Sequence, residues 1–134
     1  MSTVFDDLPP VSYAEGAAWL ERYRAALEAF SGDDLVALFT EDAEVRLHPF
    51  EAPLVGHNAI RAYCLRLAEI EAELELTIER HWTSGPTVLA AWHGSARQRA
   101  GGRQRLAGFL TAELEGGRCR RFRRWALADQ GSPA

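Results

Sequence analysis

The apolar period of this 134-residue chain changes from three-to-four to two near Leu74, and that switch constrains the fold more than any other feature. Before it, Trp19, Leu20, Tyr23, Leu27 and Phe30 recur at three- and four-residue intervals, which marks an amphipathic helix with one buried stripe. Ser31-Gly32-Asp33-Asp34 breaks that helix, and Asp33 or Asp34 is suited to cap a second short one through Leu35, Leu38 and Phe39. A strand is expected at about 43–47, and Pro49 and Pro53 forbid regular pairing between them. Gly56-His57-Asn58 opens a third helix, with Asn58 as its N-cap and Ile60, Tyr63, Cys64, Leu67 and Ile70 as its apolar face.

From Leu74 onward, Leu74, Leu76, Ile78 and Trp82 alternate with Glu75, Thr77, Glu79 and His81. Turns at Ser84-Gly85-Pro86, Ala100-Gly101-Gly102 and Glu115-Gly116-Gly117 link this strand to three more, near 88–97, 105–115 and 118–127. In the last strand Cys119, Phe122 and Trp125 are three apart, so a bulge or strong twist is needed there. Helices first and an antiparallel meander afterwards predict an α+β domain whose helices cover one face of a curved sheet. A sheet bent around helices that do not fill its concavity encloses a pocket.

Length and a hydrophobic content of 47% fit one domain, expected over 13–128, with tails at 1–12 and 129–134. Met1 to Ser12 has no basic and apolar leader pattern, and no apolar run approaches the ~20 residues of a membrane helix. Cys64 and Cys119 stand far apart with no zinc-like spacing, so a reduced, cytoplasmic protein is the simplest expectation. All fifteen basic residues are arginine, and nine of them fall between Arg97 and Arg124. The net charge of -4 and the lack of interleaved exposed aromatics argue against a nucleic-acid surface and for a solvated or subunit-facing side. Four dispersed histidines give no metal site.

Leu38-Phe39-x-x-Asp42-Ala43, the His48-Pro49-Phe50 corner, Pro53-Leu54-Val55-Gly56, Ile60-x-x-Tyr63 and Gly117-Arg118-x3-Phe122-x2-Trp125 occur in this order with Arg22-Tyr23 ahead of them. Together they resemble the SnoaL-like branch of the nuclear-transport-factor-2-like superfamily, over about 13–128. The resemblance implies a cone-shaped α+β fold, with three N-terminal helices on a curved, mainly antiparallel sheet around a pocket. It also implies pairing into a homodimer through the sheet. Ketosteroid isomerases of this superfamily use a first-helix tyrosine, a carboxylate before a Pro-Phe corner and a late-strand aspartic acid. Tyr23 matches the first and His48 occupies the second. Phe109 or Leu110 falls at the third, and neither donates a proton.

The candidate catalytic pair is therefore His48 as base and Tyr23 as hydrogen-bond donor. Trp19, Phe50, Tyr63, Trp92, Phe109 and Trp125 are the expected ligand-contacting aromatics. His81 and His93 alternate with apolar neighbours and are expected on the outer face. The expected ligand is a small, largely apolar molecule with a carbonyl or hydroxyl, bound without cofactor or metal. Isomerisation, cyclisation, dehydration or hydrolysis by proton transfer fits that pocket. The alternative is a non-catalytic ligand-binding or dimeric interaction module.

Overall fold

A computed structural model describes residues 8–129. The expected end tails lie mostly outside the described residues. Val11 is within them, donating its N–H to the Gly85 carbonyl at 2.8 Å and packing against the core.

Helix α1 (Tyr13–Glu28) starts with a reciprocal capping box: Ser12 Oγ accepts from Glu15 N at 3.0 Å, and Glu15 Oε1 accepts from Ser12 N at 2.9 Å. Its buried face is Trp19, Leu20, Tyr23, Ala26 and Leu27. Helix α2 (Gly32–Val36) is capped by Ser31, whose Oγ accepts from Asp34 N, rather than by Asp33 or Asp34. It stops before Leu38 and Phe39, which the sequence pattern assigns to it. Phe39 instead opens strand β1 (Phe39–Arg46). Tertiary partners claim this segment: the Leu38 carbonyl accepts from Trp19 Nε1 at 3.1 Å and from Cys119 N at 2.7 Å.

A two-residue strand β2 (Leu54–Val55), absent from the sequence-based expectation, pairs with β1. Helix α3 (His57–Ile70) has Gly56 as its N-cap, with no side-chain cap from Asn58. It passes directly into β3 (Glu71–Ser84), which begins three residues before Leu74. Strands β4 (Thr87–Gln98), β5 (Arg103–Glu115) and β6 (Arg118–Asp129) complete a six-stranded sheet of order β2-β1-β6-β5-β4-β3. All pairings are antiparallel except β1 with β6. Gly94 and Gly108 allow close strand approach, since a Cβ at Gly94 would lie 2.8 Å from the Glu75 carbonyl oxygen. The three helices and the sheet enclose one core, with Trp19, Phe39, Trp92, Leu110 and Phe122 among its buried members.

Three one-residue bulges decide which side chains face that core. Register shifts leave Ala72 and Glu79 as extra residues on β3, and Arg120 as the extra residue on β6. Because side chains alternate with a period of two, each bulge reverses the parity of the strand on one side of it. The Arg120 bulge explains the three-residue spacing of Cys119 and Phe122, both buried, and turns Trp125 to the outer face. The Glu79 bulge reverses the expectation for His81 and Trp82. His81 is buried, stacking on the Tyr13 ring at 3.9 Å with Nε2 3.1 Å from the Tyr13 carbonyl oxygen. Trp82 is exposed beneath the Arg80 guanidinium, 5.1 Å from its ring. His93 does lie outside, 3.4 Å from Glu79.

Candidate functional site

A cavity of about 300 Å³ opens between the β1–β2 corner and α3, walled by Val45, Leu47, Leu54, Leu67 and Ile70, with Tyr63, His48, Glu51 and Arg66 as its polar and charged lining. Leu47 continues the inward row of β1, Tyr63 projects from the second turn of α3, and Ile70 is its last residue. Two larger depressions, about 380 Å³ beside Pro9 and Gly117 and about 420 Å³ between Arg105 and Leu127, hold no buried side chain short of a partner.

Tyr63 connects this cavity to a buried polar cluster that the sequence reading missed. Its hydroxyl is closed off from solvent and interacts with the Arg124 guanidinium, short of a well-formed hydrogen bond. Arg124 interacts electrostatically with both Tyr63 and Tyr23, its Nε also buried and unpartnered. The Arg124 guanidinium carbon lies 5.7 Å from the centre of the Trp92 ring, whose own Nε1 is buried without a partner. Burial works against the Arg124 charge, but Tyr63 and Tyr23 outweigh it and hold the group above its ordinary range. Burial pushes the Tyr23 phenol well up, with Arg124 acting in the opposite direction.

Glu71 completes the cluster. It follows Ile70 directly, is 7% exposed, and its Oε2 has no partner. Burial raises its pKa while the charge of Arg124 lowers it. Its cross-strand neighbour Gln98 has an unpartnered Nε2. Neither Glu71 nor Arg124 stands out in the sequence: one belongs to a run of acidic residues and the other to a run of arginines. The bulges at Ala72 and Arg120 turn them inward, and no pattern of period two reveals them.

The sequence-predicted residues divide between the core, the cavity, the outer sheet face and the exposed corner. Tyr23, Trp19 and Trp92 are in the core, where Trp19 stacks on Tyr23 at 5.4 Å and spends its N–H on Leu38. Tyr63 is at the cavity. Phe109 and Trp125, expected beside the ligand, are cross-strand partners on the outer face, 62% and 37% exposed. Leu110 takes the inward position at that level, opposite Arg124, so the late-strand site is apolar and the interior carboxyl comes from Glu71 instead. Phe50 is 91% exposed on the corner.

His48 stands at the cavity rim, and Tyr23 does not line that cavity. His48 Nδ1 accepts from Phe50 N at 3.3 Å. A neutral imidazole with Nδ1 so engaged carries its proton on Nε2. Among the described residues no group of His, Cys, Asp and Glu is placed to hold a metal ion. No helix there is long and apolar enough to cross a membrane.

An α+β cone of helices on a curved, mostly antiparallel sheet is the architecture of the nuclear-transport-factor-2-like folds. This chain belongs to the SnoaL-like domain family, which matches residues 20–122. Among solved structures it resembles an LEH-like epoxide hydrolase from M. tuberculosis, with a TM-score of 0.73 and 18% identity over 85% of this chain and 84% of that one. A candidate isomerase from Bacillus subtilis gives a TM-score of 0.77 and 19% identity over 86% and 88% of the two chains. A candidate scytalone dehydratase from Novosphingobium aromaticivorans gives 0.73 and 16% over 88% and 86%. At these identities the likeness is one of fold. No curated protein matches the sequence.

Proposed function

We propose that the protein binds a small, largely apolar molecule carrying a carbonyl or hydroxyl oxygen, with that oxygen held by Tyr63 and Arg124. The observation that carries this reading is Tyr63 in the wall of a largely apolar cavity, its buried hydroxyl short of a well-formed hydrogen bond and the Arg124 guanidinium beside it. Buried donors without partners are rare in folded proteins, and a ligand oxygen would satisfy them. Donors fixed in place around an oxygen also favour the negative charge that develops there during proton transfer beside a carbonyl, typically by a few kcal/mol. Cofactor-free isomerisation, cyclisation, dehydration or hydrolysis is the chemistry of such a site. In that catalytic form Tyr23 is a positioning residue acting through Arg124. His48 exchanges a proton over the cavity only after its Nδ1 releases the Phe50 N–H.

The test is calorimetric titration with small ring ketones and alcohols, such as acetophenone and benzyl alcohol. Saturable binding that weakens in Tyr63→Phe supports the reading, and no binding to the wild-type protein rejects it. A His48→Ala variant that keeps full turnover on a responsive substrate removes His48 from the chemistry.

A second reading, a dimeric interaction module, draws on the outer face, where Phe109, Trp125 and Leu127 are exposed on β5 and β6. Apolar side chains grouped in this way on one sheet face favour pairing with a second copy. Sedimentation of the wild type and of Phe109→Glu tests it: a dimer converted to monomer supports the reading, and a monomeric wild type rejects it.

A further inference from the structure

We infer that Glu51 is the proton acceptor of this cavity, taking a proton from the carbon beside the carbonyl of a small ketone whose oxygen is on Tyr63. This deepens the reading above and rests on it.

The segment between Pro49 and Pro53 brings this carboxylate to the cavity. Glu51 N donates to the His48 carbonyl at 3.4 Å, closing a four-residue turn with Pro49 at its second position, where the fixed φ of proline is favoured. Arg46 Nη1 donates to the Glu51 carbonyl at 2.7 Å and ties the same residue to the end of β1. The turn leaves Phe50 exposed and returns the chain so that Glu51 and Ala52 line the cavity. The Glu51 backbone is thus held from two sides, while among the described residues its carboxylate has neither a hydrogen bond nor an ion pair.

The remaining polar groups of the lining are poorer acceptors. Arg66 stays cationic and has only donors. The Tyr63 hydroxyl is engaged by the ligand oxygen. His48 has its lone-pair nitrogen, Nδ1, taken by Phe50 N at 3.3 Å. The buried carboxyl of Glu71 does not line the cavity. Glu51 alone among these lining residues offers free carboxylate oxygens, and it stands three residues beyond His48, the corner position to which the sequence resemblance points.

The step balances without a co-reactant. A Glu51 oxygen takes the proton from the α-carbon, the C–H electron pair forms a carbon–carbon π bond, and the carbonyl π pair moves onto oxygen. The Tyr63 hydroxyl then faces a developing negative charge, which it stabilises more strongly than the ground-state carbonyl. Return of the proton to the same carbon restores the ketone. Glu51 is exposed, so the proton it has taken exchanges with solvent before it returns.

The experiment incubates acetophenone in heavy water with wild-type protein, Glu51→Gln and Glu51→Ala, and follows loss of its methyl proton signal by NMR. Affinity for acetophenone is measured on each protein by calorimetry. The expected result is saturable exchange above the buffer rate in the wild type, lowered roughly hundredfold in Glu51→Gln. Affinity in that variant should stay within about threefold. Added formate should restore part of the rate in Glu51→Ala, because it supplies the missing carboxylate. A rate kept in Glu51→Gln, parallel loss of rate and affinity, or no rescue by formate overturns the assignment. Acetophenone that binds the wild type without exchanging overturns it as well and leaves the binding reading standing. No binding of acetophenone overturns both.

Discussion

The Pro49 corner and the cone interior both hold polar side chains, but they differ in how those side chains are occupied. At the corner, His48 is exposed and accepts a backbone N–H, and Arg46 donates to the Glu51 carbonyl at 2.7 Å. These groups are satisfied within five residues of their own position. In the interior, Arg124, Tyr63, Trp92 and Glu71 come from four different elements, and each has a buried atom short of a well-formed hydrogen bond. Leaving such groups unsatisfied costs about 1–3 kcal/mol each, so the fold tolerates there what it avoids at the corner. A residue type suited to catalysis marks the first region. An unmet hydrogen-bonding demand marks the second, and it is the better guide to where a ligand binds.

The contrast can be broken by mutation. Arg124→Met should have the largest effect, lowering affinity for a ring ketone such as acetophenone roughly tenfold by titration calorimetry. Tyr63→Phe should cost about 1 kcal/mol of the same binding. A smaller effect is expected for Glu71→Gln, seen in stability rather than binding. Burial raises the folded pKa of Glu71, so above the ordinary glutamate value of about 4.3 the folded chain holds more protons than the unfolded one. Stability linked to Glu71 is therefore complete below that pH and declines as pH rises toward the folded value. Glu71→Gln should lack this decline, so urea midpoints of the two proteins should separate as pH is raised from about 4. Parallel profiles would show that Glu71 is not buried as described. His48→Ala should change ligand affinity least, by less than about twofold. A larger loss would move the binding site from the interior to the corner.

Much of the scaffold is legible in the chain itself. The helix stripe of Trp19, Tyr23 and Leu27, the glycine turns at Gly85, Gly101 and Gly116, and the order of helices before strands all follow from local periodicity and turn chemistry. Boundaries fail where a distant partner intervenes. Leu38 and Phe39 read as helix, yet the Leu38 carbonyl is taken by Trp19 and Cys119 from other elements. The site is less legible, because alternation assigns faces only along an uninterrupted ladder. Phe109 sits on a regular stretch and still faces outward, because Leu110 and not Phe109 shares the parity of the core row.

The sequence by itself determined a SnoaL-like α+β cone, because hydrophobic period, turn residues and proline positions act within a few residues. Only the tertiary structure decided which polar groups enter that cone. Three extra residues, Ala72, Glu79 and Arg120, shift the parity of their strands and bring in Glu71, His81 and Arg124. A bulge is defined by pairing with a neighbouring strand, so its consequences for side-chain direction are set by the sheet as a whole.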